Sequence, residues 1–134
     1  MTHTHVSTRV ISLALTLAAM VTSTALAQQI NCVFDVNDSR HALAIQENDD
    51  VYAVHKIDLP GEFRFAGQWL PSLNKFKSYV YHTPGDRYVL LALQEFEVLK
   101  TSCPQDFGRH RVYDGANERE LFFHCHKSCN HNQK

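Results

Sequence analysis

The sequence predicts a mainly β fold, a small antiparallel barrel or sandwich of about seven or eight strands stapled by disulfides. Three observations carry that reading. Short runs rich in β-branched and aromatic residues recur at the ~8–12-residue spacing of all-β domains, each followed by a turn signal. Several of these runs alternate apolar with polar residues, as a half-buried strand requires. All four cysteines follow an export-type leader, a setting in which thiols pair. An α+β variant with one short helix is the alternative.

The leader comes first. Arg9 supplies a positive n-region, residues 10–21 (VISLALTLAAMV) an apolar core, and Ala25-Leu26-Ala27 a small-x-small cleavage signal. That is a secretory signal peptide, shorter than the ~20 apolar residues a spanning helix needs. Cleavage after Ala27 leaves residues 28–134 as one domain, near the usual domain size of ~100–150 residues. Cys32 lies well past the cleavage point and no lipobox precedes it, so no membrane anchor is expected. The style of the signal points to the periplasm, with extracellular release as the alternative.

Cys32-Val33-Phe34 opens the strand series, followed by residues 41–46 (HALAIQ) and a polar turn at 47–50. Residues 51–59 read as one strand, with Val51, Ala53, Ile57 and Leu59 on one face and His55 among them as a hydrogen-bonded core histidine. After Pro60-Gly61, Phe63, Phe65 and Trp69 alternate with Arg64, Ala66 and Gln68, and these aromatics are core candidates together with Phe76. Residues 71–74 break the strand before 76–81, and Thr83-Pro84-Gly85-Asp86 is the next turn. Residues 87–99 fit a long strand, although Val89, Leu93 and Phe96 also fit a helix capped by Asp86. Finally, 109–113 and 120–125 flank Asp114-Gly115, a strong hairpin signal.

The charge balance excludes one class of partner. Only one of 13 Lys+Arg residues lies in the leader, so the remainder carries 12 basic against 14 acidic side chains. No basic field exists for a phosphate backbone, and no nucleic-acid partner is predicted. No cofactor motif is found either.

The densest group of reactive side chains is "FFHCHKSCNH", residues 122–131. Thiolates and imidazoles suit zinc or copper, and a periplasmic metal-binding module is one reading. Strand alternation opposes it, because His124 and His126 share a face while Cys125 points the other way. A hairpin turning between Asp114 and Asn117 places Cys103 opposite residues 126–128, one step from Cys129, and leaves Cys125 opposite 104–106, where no cysteine stands. The expected bridges are therefore Cys103–Cys129 and Cys32–Cys125, and no metal site is predicted.

The best catalytic candidate is Arg109, His110, Arg111, Glu118, Glu120 and His124. A histidine pair with Glu120 and arginines would suit a small secreted ribonuclease-like hydrolase. Ordinary cross-strand ion pairing explains the same residues, and no catalytic residues are assigned. Tyr79, Tyr81 and Tyr88 flank the 83–86 turn, and Tyr81, Asp86, Arg87 and Tyr88 form the most interface-like composition in the chain.

Size, export signal, disulfides and β-meander together are similar to those of periplasmic lysozyme inhibitors and of immunity proteins against cell-wall toxins. The likeness is one of architecture and compartment. It implies a non-enzymatic, periplasmic inhibitor or immunity-type protein that covers the active cleft of a toxin or hydrolase, with the turns at Pro60-Gly61 and Pro84-Gly85 leading. Its oligomeric state is not written in the sequence.

Overall fold

The computed structural model describes residues 28–129; the leader and His131 lie outside the described residues. Among the described residues there are eight strands: β1 (Gln29–Val36), β2 (Ser39–Gln46), β3 (His55–Leu59), β4 (Phe63–Leu70), β5 (Lys75–His82), β6 (Val89–Glu97), β7 (Gln105–Asp114) and β8 (Arg119–Lys127). They form two four-stranded antiparallel sheets, β2-β1-β8-β7 (sheet A) and the meander β3-β4-β5-β6 (sheet B). The architecture is an open sandwich and no barrel closes. Within the 87–99 segment Val89–Glu97 is strand, which removes the helical alternative.

Alternation builds the core. Ile30, Cys32, Phe34 and Val36 of β1 point inward beside Leu121, Phe123 and Cys125 of β8, against Phe63, Phe65 and Trp69 of β4 and Phe76 and Val80 of β5. Phe65 spans the two sheets, with ring centroids 4.7 Å from Phe34 and 5.3 Å from Phe123. Gly67 of β4 sits where a side chain would collide with Ile45: an added Cβ would lie 2.3 Å from its Cδ1. The missing side chain lets the sheets approach there.

Turn chemistry sets the registers. Asn37 and Asp38, both at positive φ, make the two-residue primed turn that joins β1 to β2. The last hairpin turns later than the Asp114–Asn117 centre predicts. Asp114 caps its own turn, accepting from the Ala116 backbone and from the Asn117 side chain, so the loop covers residues 115–118 and Asp114 faces Arg119. A bulge between Asp106 and Arg109, eased by Gly108 at φ 86°, takes back one position of that displacement, but only farther from the turn. Consequently Arg111 faces Phe122 and Tyr113 faces Glu120.

Two disulfides staple sheet A: Cys32–Cys125 joins directly opposed positions of β1 and β8, and Cys103–Cys129 closes the base of the β7–β8 hairpin. Two expectations need correction. The 51–59 run is strand only from His55, because Val51 and Tyr52 form a turn whose carbonyls and neighbours are held by the Gln68 amide. Val51 is therefore exposed, and His55 is half-exposed rather than a hydrogen-bonded core residue.

One end of the sandwich is locked by buried polar groups. His82, at the inward-facing end of β5, lies 3.1 Å from Glu62 and 3.4 Å from Asp114, and Arg119 donates to the Gly61 carbonyl. The Asn117 side chain, then the turn amides and nearby His82, hold the Asp114 carboxyl below its ordinary range against the opposing effect of burial. A carboxyl lowered in the folded state stabilises it above the unfolded value, near 3.9, and loses that contribution as pH falls through the folded value. Urea unfolding of Asp114→Asn should therefore depend less on pH below about pH 4 than the wild type does. An unchanged acid slope would refute a role for this carboxylate.

Candidate functional site

The outward face of sheet B carries the most distinctive exposed surface. Register sets Asp58, Arg64, Tyr81 and Leu90 in one row, and Lys56, Ala66, Tyr79 and Leu93 in the next. The irregularity opposite Val80/Tyr81 matters here. It lets Leu91 and Ala92 both pack on the core while Leu90 and Leu93 both face solvent. A regular strand would bury one of that leucine pair. Tyr88, Leu90 and Leu93 are 57%, 50% and 55% exposed, a cluster of large side chains that water does not favour.

Arg64 organises the cluster. Its guanidinium makes a two-pronged bond to Asp58 of β3, donates to the Tyr88 hydroxyl, and lies 4.7 Å from the centre of the Tyr88 ring. Asp58 accordingly titrates below the ordinary carboxylate range, chiefly through that bond, and Arg64 is raised by the same partner. Tyr81 meets Tyr88 edge-on at 6.2 Å and stacks with Tyr79 at 6.4 Å. The aromatic rings are therefore held by neighbours on a rigid sheet, which reduces the entropy lost when a partner immobilises them.

Of the four contact residues expected from sequence, Tyr81 and Tyr88 belong to this cluster. Asp86 and Arg87 stand exposed in the adjoining turn. The Pro60-Gly61 and Pro84-Gly85 turns lie at the same end of sheet B, joined by the Thr83 amide donating to the Glu62 carbonyl at 2.7 Å. Arg64, Leu90 and Leu93 escape sequence reading. Arg64 reads as one more polar position of an alternating strand, and the bulge hides the two leucines.

The catalytic candidates divide between two faces of sheet A. Arg109, Arg111 and His124 face outward, where Arg109, His124, Phe122, Asp35 and Arg40 line a shallow depression of about 560 Å³ whose floor also reaches His110. His110 points inward, its ring 5.3 Å from Phe96 and 5.0 Å from Phe123. Its Nδ1 accepts from the Gln94 amide at 3.0 Å and its Nε2–H donates to the Phe107 carbonyl at 2.8 Å. Both nitrogens of His110 are thereby occupied within the protein. Glu120 pairs with Arg111, Glu118 lies in the exposed turn, and His124 bonds Asp106 at 2.9 Å. The backbone N–H of Gly108, ahead of His124, holds the Asp106 carboxyl low. Only Arg111–Glu120 and His124–Asp106 form pairs within this group among the described residues, and both lie at the surface, where water weakens them.

In the C-terminal cluster, His124 and His126 stack on the outer face at 5.8 Å while Cys125 is buried in its bridge. Both cysteine sulfurs of that stretch are consumed by disulfides. Among the described residues no group of three His, Cys, Asp or Glu is placed to hold a metal ion. Comparison with protein-family models, curated proteins and solved structures finds no match.

Proposed function

We propose that the chain is an exported protein-binding domain of the periplasm, an inhibitor or immunity-type protein that neutralises a toxin or cell-wall hydrolase by covering its active cleft. The observation that carries the reading is the outward face of sheet B, where Tyr79, Tyr81, Tyr88, Leu90 and Leu93 surround an Arg64 fixed by Asp58. Tyrosine and arginine held in place beside exposed leucines have the composition of interface centres. The Pro60-Gly61 and Pro84-Gly85 turns, joined at the same end of the sheet, would extend the contact surface beyond the strands. Two disulfides fit an oxidising compartment, and among the described residues no helix is long and apolar enough to cross a membrane.

Affinity capture from periplasmic extract should recover one stoichiometric partner with the wild type. Tyr88→Ala and Leu93→Asp should each weaken that complex at least about 30-fold, corresponding to roughly 2 kcal/mol, without lowering the melting temperature by more than a few degrees. A second arm measures wall hydrolysis or toxin activity of the captured protein, which the wild-type domain should suppress. Equal capture by both variants would move the interface elsewhere.

A further inference from the structure

We propose that the pocket at the opposite end of the sandwich from His82 binds a carboxylate group. This cavity of about 300 Å³ is lined by Trp69, Pro71, Val98, Lys100, Lys127 and Glu47 among others. It opens where β4, β6 and β8 end, away from the Tyr81–Leu93 face. Two buried donors in its wall argue for an acceptor-bearing ligand. The strand alternation that sends Leu121, Phe123 and Cys125 inward sends Lys127 inward as well, leaving it 1% exposed. Its ammonium has three protons to donate and meets one recorded acceptor, the Leu99 carbonyl. Trp69, which also lines the cavity, is 4% exposed, and its indole N–H has no acceptor among the described residues.

A buried cation and a buried N–H without an acceptor are each costly to desolvate, and a carboxylate drawn into the cavity would bring acceptors to that wall. Burial pushes the Lys127 amine below its ordinary value, and an adjoining anion would oppose that shift. The lining holds two cations, Lys127 and the exposed Lys100, against one carboxylate, Glu47, while Pro71, Val98 and the indole offer apolar surface to the rest of the ligand. The Cys103–Cys129 bridge holds β8 to the loop that carries Val98 and Lys100, so the two walls are fixed relative to each other. A volume at the lower limit of small-molecule sites, about 300 Å³, suits a small organic acid or the terminal carboxylate of a peptide.

Trp69 is the sole tryptophan, so the protein has a single indole N–H resonance to follow in nitrogen-labelled protein. Acetate, succinate and tri-alanine with a free C-terminus are titrated at constant ionic strength, with chloride and C-terminally amidated tri-alanine as controls. The expected result is a saturable downfield shift with a Kd on the order of 1 mM or tighter, abolished by Lys127→Met. Methionine fills the same buried volume without the charge and should fold at least as well. Should that variant fail to fold, calorimetric titration of Trp69→Phe takes its place, with at least tenfold weaker binding expected. Tighter binding of the free-acid peptide than of acetate assigns the carboxylate to a chain end. Binding of acetate or succinate without the peptide assigns it to a free organic acid. An equal shift with chloride, no saturation with any carboxylate, or undiminished binding in Lys127→Met or Trp69→Phe would overturn the proposal. Tyr88→Ala and Leu93→Asp should leave the indole response unchanged.

Discussion

Replacing Cys32 and Cys125 together by alanine should lower the unfolding free energy by about 4–5 kcal/mol, while the same change at Cys103 and Cys129 should cost about 3–4 kcal/mol. The difference follows from loop length. The first bridge spans 93 residues of sequence and the second 26, and the chain entropy removed from the unfolded state grows with the logarithm of that span. Packing widens the gap, because Cys32 and Cys125 are fully buried among the core aromatics whereas Cys103 is exposed. A domain of this size has a total stability of only about 5–15 kcal/mol, so loss of the first bridge removes a large fraction of it. Urea unfolding of the two paired variants measures both values directly. A smaller loss at Cys32/Cys125 than at Cys103/Cys129 would show that the bridge acts on the native state in a way loop closure does not describe.

The placement of these bridges also shows which parts of the molecule the sequence discloses. Strand identity followed from alternation wherever one face is buried and the other wet, as in Phe63-Arg64-Phe65-Ala66 or Lys75-Phe76-Lys77-Ser78. The 51–54 stretch has the same composition yet turns, because Gln68 of β4 captures the carbonyls of Asp50, Val51 and Ala53 from a distance no local pattern records. The hairpin register was displaced for a comparable reason. Asp114 serves its own turn, and Gly108 permits a bulge that adds a residue to one strand only. The bridge between Cys103 and Cys129 tolerates that displacement, since the real register brings the two into line rather than one step apart.

The candidate surface was partly visible. Tyrosines beside an arginine and a Pro-Gly turn are a local composition, so Tyr81 and Tyr88 could be picked out. Leu90 and Leu93 could not, because only the bulge in β5–β6 pairing turns both to solvent. Arg64 was hidden by its distance in sequence from Tyr88, 24 positions away, although the two are in contact. Lys127 carried a readable signal: it continues the inward series 121, 123, 125, and a lysine there is unusual enough to mark a site.

Phe65→Ala should destabilise the domain by about 3–5 kcal/mol, whereas Tyr88→Ala, which removes a ring of similar size, should cost less than about 1 kcal/mol. Phe65 is wholly buried at the centre of sheet B and packs edge-on against both Phe34 and Phe123 of sheet A. Its loss withdraws the transfer free energy of the ring, leaves a cavity, and breaks two aromatic contacts worth about 0.5–1.5 kcal/mol each beyond burial. The neighbouring rings belong to strands fixed on either side by hydrogen bonding and, in sheet A, by Cys32–Cys125, so they cannot collapse to fill the space. Tyr88 is 57% exposed and its contacts to Arg64 and Tyr81 lie on the surface, where water replaces them at little cost. Denaturant unfolding of the two variants separates the roles. If the proposed partner surface is correct, the ranking reverses when binding is measured on folded protein: Phe65→Ala should bind nearly as the wild type does, and Tyr88→Ala should not. A large stability loss in Tyr88→Ala would instead make the ring part of the scaffold, and its exposure would then no longer argue for a partner.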